Sequence, residues 1–215
     1  MKVGLIGAGR QGRRRAQAVK ELGETELAIV ADIDSSAAKA LAKEMGCEAT
    51  NNWEDVIARN DLEAVIICTP NYLHAPMSIA ALRGRKHVLC EKPLARDPEE
   101  AEKIVNAAKE SEVKLKCGFT LRHHPGIRQA REWFDKGFIG ELIFLRCRYG
   151  MCGRLGYEKE WRARVEFSGG GELIDQGIHV LDLFRWFAGD FAQAVGFTST
   201  AFWDIAPLED NAFGL

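Results

Sequence analysis

The chain has 215 residues, with 29 Lys and Arg against 31 Asp and Glu for a formal charge of -2, and is 47% hydrophobic and 28% charged. That length suits one to two domains with a real core, and the composition excludes disordered and collagen-like chains. No strongly basic surface is available for nucleic acid, and no run approaches the ~20 apolar residues of a membrane span.

From Met1 the chain passes at once into a glycine-punctuated apolar run, with no export signal, so a cytoplasmic protein is expected. Strands are predicted at 2–6, 27–31, 64–68, 87–90 and 114–119, with helices between them. These runs are nearly continuous in Val, Ile, Leu and Cys, the pattern of strands buried on both faces of a parallel sheet. The expected fold is therefore α/β, a doubly wound parallel sheet of Rossmann type over residues 1–120. The densest basic run, Arg13-Arg14-Arg15, falls on the first helix and reads as a solvated face.

Beyond residue 120 the pattern changes to a helix near 125–136, an alternating strand near 141–149 and a glycine-rich connection. A helix over 172–188 follows, opened by Gly169-Gly170-Gly171, then strands near 193–203 and 210–215. Residues 121–215 are thus expected to form an α+β domain with an open, mainly antiparallel sheet. Asp210 to Leu215 read as a strand just beginning, so the sheet is expected to be incomplete and the chain truncated. The six cysteines are irregularly spaced and read as free thiols. Cys147 and Cys152 have neither a CxxC motif nor a histidine at ligand spacing, and no metal site is expected.

Gly7, Gly9 and Gly12 form G-x-G-x-x-G directly after the first strand and at the start of a helix. In that context the first glycine permits the tight turn, the second lets a pyrophosphate approach, and the third lets helix and strand pack closely. Arg10 and Gln11, inside the loop, are candidate dinucleotide contacts. Asp32 ends the second strand, where a carboxylate accepts hydrogen bonds from adenosine ribose hydroxyls and repels a 2'-phosphate. NAD is therefore expected ahead of NADP, with Arg10 keeping phosphate in play.

Ligands of open parallel sheets bind beyond the carboxyl ends of the strands, which selects Thr69-Pro70-Asn71 and Glu91-Lys92-Pro93. Lys92 reads either as a lysine that hydrogen-bonds a reacting oxygen or as an exposed surface lysine. In the second domain Asp175 and His179 are four apart on a predicted helix and share a face that Asp182 continues. His179 suits a base for an alcohol proton, and equally a buried histidine that packs the helix. Trp161-Arg162 offers a flat apolar face and a planar fork of donors, for a sugar or anion or for domain packing.

Together these residues resemble the Gfo/Idh/MocA family of nicotinamide-dependent oxidoreductases along nearly the whole chain. The resemblance rests on Gly7-x-Gly9-x-x-Gly12, Asp32, Thr69-Pro70-Asn71 with His74, Glu91-Lys92-Pro93-Leu94, Trp161-Arg162, and the run from Gly169 through Asp175 and His179 to Asp182. It implies that Lys92 and His179 contact a substrate hydroxyl beside Asp175, and that Glu91 and Asn71 line the nicotinamide side. It also implies a larger antiparallel sheet, often used for homo-oligomers. A histidine common after the third glycine is replaced by arginine, within Arg13 to Arg15.

The expected activity is oxidation of a secondary alcohol on a sugar, polyol or nucleotide-linked sugar. The alternatives are an NAD-dependent glycosidase of the same family and a non-catalytic dinucleotide-binding regulator. Leu121 to Pro125 resembles segments of relatives acting on nucleotide-linked sugars and makes Arg122 a candidate substrate contact. Arg122 and His124 read equally as a cap or as partners of nearby acids.

Overall fold

Six strands pair in parallel in the order β3-β2-β1-β4-β5-β6 in the computed structural model, which describes residues 1–150 and 153–215. They are β1 (Lys2–Ile6), β2 (Glu26–Ala31), β3 (Glu48–Thr50), β4 (Ala64–Ile67), β5 (His87–Cys90) and β6 (Leu115–Cys117). This is the order of dinucleotide-binding doubly wound sheets, with the direction of winding reversing between β1 and β4.

Alternate residues explain why the strand runs are apolar throughout. Val3, Leu5, Val30 and Ile66 pack on one face with Ala16 and Val19 of α1 (Arg10–Leu22) and Leu41 and Ala42 of α2 (Ser35–Met45). Ile6, Ile29, Val65 and Ile67 face the other way. They meet Val56 of α3 (Trp53–Ala58), Leu82 of α4 (His74–Arg83) and Ile104 of α5 (Pro98–Glu110). Each buried Val, Leu or Ile among them contributes roughly 1.5–3 kcal/mol through burial.

β3 was not among the predicted strands. Its three residues, Glu-Ala-Thr, lie at the sheet edge and carry no apolar run, because an edge strand need not be buried on both faces.

The chain divides into two compact units, Met1–Gly118 and Phe119–Leu215. In the second, α6 (Pro125–Asp135) is followed by α7 (Val165–Ser168), a π-helical turn at Leu173–Gly177 and α8 (Ile178–Ala188). The helix expected over 172–188 is therefore continuous but changes winding before His179. β7 (Gly196–Ser199) and β8 (Asn211–Gly214) form an antiparallel pair.

Two strand expectations are corrected. Residues 141–149 form no strand, and Ile143 and Phe144 stand 90% and 75% exposed. A strand exists through its ladder, and among the described residues none pairs with this segment, since β7 and β8 pair with each other. The strand expected to reach 203 stops at Ser199, because the Asp210 carboxylate takes the backbone N–H groups of Ala201, Phe202 and Trp203 at 2.7–2.8 Å. That loop folds over a small cluster of Tyr157, Trp203, Ile205 and Leu208.

Candidate functional site

In the first unit the site is built at the turn from β1 into α1. Gly7 has φ +101°, outside the usual range of L-residues. A Cβ on Gly12 would overlap the Gly7 carbonyl oxygen, so that glycine is required by helix-to-strand packing. Gly9 is different: a Cβ there meets nothing within 4 Å. Protein packing gives no reason for glycine at this position, whereas a ligand lying against the backbone would.

Gly9 is also the N-cap of α1, and among the described residues no side chain caps the helix there. Asp34, Asn52 and Asp97 cap α2, α3 and α5. The first turn of α1, which holds Arg10 and Gln11 and no acid, thus keeps N–H donors and positive helix dipole for an anion. Asp32 is fixed beside the loop: its Oδ2 accepts from Ala8 N at 2.6 Å and its Oδ1 from Asp34 N at 2.9 Å. Ile33, the next residue, is 94% exposed and leaves an apolar side chain at the rim, a feature with no signature in sequence spacing.

The turns after β4 and β5 are joined through His74. Its ring is 1% exposed, with Nε2 2.9 Å from Thr69 O and Nδ1 2.7 Å from Pro93 O. His74 therefore ties the Thr69-Pro70-Asn71 segment to the Glu91-Lys92-Pro93 segment. Burial pushes its pKa below the ordinary value, against the upward pull of the two carbonyls and Glu91. Asn71 is buried at the start of the short turn Asn71–Leu73.

Glu91, 7% exposed, accepts from Arg15 Nε at 2.6 Å and is ion-paired with its Nη2. This corrects the view of Arg13 to Arg15 as a solvated face. Arg13 and Arg14 are exposed, but Arg15 lies on the inner side of α1, where Ala16 and Val19 are buried. Its position three after Gly12 was the available signal.

In the second unit Asp175 lies within the π turn and His179 one residue into α8. The His179 ring is 8% exposed and meets Phe119 and Tyr149 edge-on at 6.3 and 6.4 Å between centroids. Arg162 stacks on Trp161 at 4.3 Å and places Nε 3.6 Å from Asp175 Oδ2 and Nη1 3.6 Å from Glu160 Oε2. Trp161, Arg162 and Asp175 are thus brought together. Arg122 donates from Nε and Nη2 to Asp182 at 2.8 and 2.6 Å, and His124 accepts from Gly126 N as the cap of α6. Glu209 was missed by sequence reasoning. Its carboxylate accepts from Gly171 N and Leu173 N at 3.2 and 3.0 Å, at the head of the segment bearing Asp175 and His179.

Cys47, Cys68, Cys90 and Cys147 are free thiols; Cys152 lies outside the described residues. Among the described residues no three His, Cys, Asp or Glu side chains converge to hold a metal ion, and no helix is long and apolar enough to cross a membrane.

A Rossmann-type parallel sheet with an open glycine loop, followed by a smaller unit with an antiparallel sheet, defines a dinucleotide-binding class of protein. Residues 1–119 match the oxidoreductase family described by its NAD-binding Rossmann fold, and residues 127–215 match the GFO/IDH/MocA C-terminal domain. The chain belongs to the Gfo/Idh/MocA oxidoreductase family.

It is 30% identical to levoglucosan dehydrogenase of Pseudarthrobacter phenanthrenivorans, over 93% of this chain and 54% of that protein. It is 33% identical to inositol 2-dehydrogenase of Rhizobium meliloti, over 100% of this chain and 61% of that protein. A levoglucosan dehydrogenase structure, in complex with NADH and levoglucosan, superposes with a TM-score of 0.90 at 27% identity, covering 100% of this chain and 62% of that one. The chain thus spans between half and two thirds of the length of these relatives.

Proposed function

We propose that the protein is an NAD-dependent dehydrogenase that interconverts a secondary alcohol and ketone on a sugar, polyol or nucleotide-linked sugar. The observation that carries this is the loop itself: Gly9 is open, the α1 N-terminus is uncapped among the described residues, and Asp32 is held beside both. These residues fit a dinucleotide. Gly7, Gly9, Arg10, Gln11 and Gly12 would hold the pyrophosphate, Asp32 the adenosine ribose, and Thr69, Pro70, Asn71 and Glu91 the nicotinamide side. Asp32 favours NAD over NADP, since a 2'-phosphate would meet a carboxylate. When bound, the nicotinamide supplies the hydride acceptor or donor.

The chain's own residues handle the proton. Lys92 donates a hydrogen bond to the substrate oxygen, His179 accepts the hydroxyl proton, and Asp175 stabilises the charge His179 gains. Arg162, held between Trp161 and Asp175, orients Asp175 and presents a planar donor edge to a sugar. The relatives that act on levoglucosan and inositol support a cyclic polyhydroxy substrate.

The test is NADH formation across a panel of sugars, polyols and sugar nucleotides. Lys92→Ala and His179→Ala are expected to lower kcat by about a hundred- to ten-thousandfold while the NAD dissociation constant changes little. Wild-type turnover in His179→Ala at neutral pH would refute the base assignment. Substrate cleavage with no net NADH would point to oxidation followed by elimination.

A further inference from the structure

Lys92 is flanked by two fixed points. On one side Glu91 is buried and clamped by Arg15; on the other the Pro93 carbonyl lies 2.7 Å from the His74 ring. Glu91 has little room to move. Its backbone N–H donates to Ile67 O at 3.0 Å, and a Cβ placed on Gly118 would lie 2.9 Å from Glu91 Oε2. Arg15 reaches this carboxylate from α1, the helix whose first turn forms the glycine loop, across a separation of 76 residues.

Two guanidinium nitrogens converging on one carboxylate oxygen, Glu91 Oε1, hold it by direction as well as charge, and a buried carboxylate deprived of them must rearrange. We propose that Arg15 is a positioning residue for the reaction. Through Glu91 it sets the turn that carries Lys92, and it ties that turn to the helix of the dinucleotide loop. This rests on the role proposed above for Lys92. It gives the arginine at this position a task beyond surface charge.

Arg15→Ala is expected to lower kcat by about 10- to 100-fold, the scale of a misplaced catalytic group, while the NAD dissociation constant stays within about threefold. Arg15→Lys, which keeps the charge and loses the fork, should recover part of the loss. Because the effect runs through one carboxylate, Arg15→Ala added to Glu91→Gln should cost less than about twofold more, where independent sites would multiply. Unchanged kcat in Arg15→Ala would overturn the proposal. So would kcat, NAD affinity and thermal midpoint falling together with multiplicative effects in the double variant.

Hydrogen exchange judges the proposal without turnover. In Arg15→Ala the amides of Glu91, Lys92 and Leu94 should exchange faster while those of β1 and β4 keep their protection. Equal acceleration throughout the sheet would mean loss of general stability and would refute it. A wild-type protein that oxidises no substrate would count against the proposed dehydrogenase activity and leave this exchange result to stand or fall separately.

Discussion

Gly171 lies so close to Glu209 that a Cβ there would overlap the Glu209 backbone oxygen, while the Glu209 carboxylate accepts the N–H of Gly171. The backbone also pairs, Glu172 N donating to Glu209 O at 2.9 Å. A residue near the second strand of the hairpin thereby holds the entrance of the segment carrying Asp175 and His179. Overpacking at such a contact costs about 1–3 kcal/mol, which is the loss expected for Gly171→Ala. Glu209→Ala, which removes a helix-cap acceptor, should cost about 1 kcal/mol. Urea denaturation followed by tryptophan fluorescence reads chiefly this unit, because Trp133, Trp161, Trp186 and Trp203 belong to it and only Trp53 to the first. A Gly171→Ala midpoint equal to wild type would show that the contact yields freely.

His74 predicts an acid-side loss of stability. Its pKa is lowered from 6.5 in the fold, chiefly by burial. As pH falls through 6.5 the unfolded chain takes up a proton that the folded ring refuses, so stability declines until the lower folded value is reached. His74→Asn removes this titration. The variant is expected to show a shallower stability slope below pH 6.5 whatever its absolute stability, measured by denaturation at a series of pH values. Parallel slopes would exclude His74 as the source.

Asp32 should decide the choice of cofactor. Asp32→Asn keeps one oxygen to accept a backbone N–H but removes the charge that opposes a 2'-phosphate. The ratio of NADP to NAD affinity is expected to rise at least about tenfold, or ~1.4 kcal/mol, by calorimetric titration. No change in the ratio would place the ribose elsewhere.

Arg122 and Asp182 should be strongly coupled. The Asp182 side chain is 7% exposed, and Arg122 also lies over the Trp186 ring at 5.5 Å. Arg122→Ala leaves a buried carboxylate without its paired donors, a loss on the order of 1–3 kcal/mol. Arg122→Ala with Asp182→Asn should recover part of it. A double variant as unstable as the sum of the two singles would show that the pair contributes no coupling.

The expected nine-residue strand at 141–149 shows where alternation in sequence ceases to be informative. Alternating side chains describe what a strand presents to its two faces, but the ladder needs a neighbour, and the alternation carries no information about one. The three-residue edge strand β3 is the converse, a real ladder with Ile29–Ala31 and no apolar signature. The π turn at Leu173–Gly177 was equally hidden, since its bonding pattern depends on local packing and the sequence there reads as ordinary helix.

What the residues alone determined is the parallel sheet and its glycine loop. Strands covered on both faces must be apolar throughout, and Gly7, Gly12 and Asp32 are local consequences of turning from strand to helix. What only the tertiary structure decided is which polar groups meet: Arg15 with Glu91, Arg122 with Asp182, and the Gly171 amide with Glu209, separated by 76, 60 and 38 residues. Helical period tells which side of a helix a residue occupies. It does not tell which carboxylate waits opposite, because that is settled by how distant segments pack.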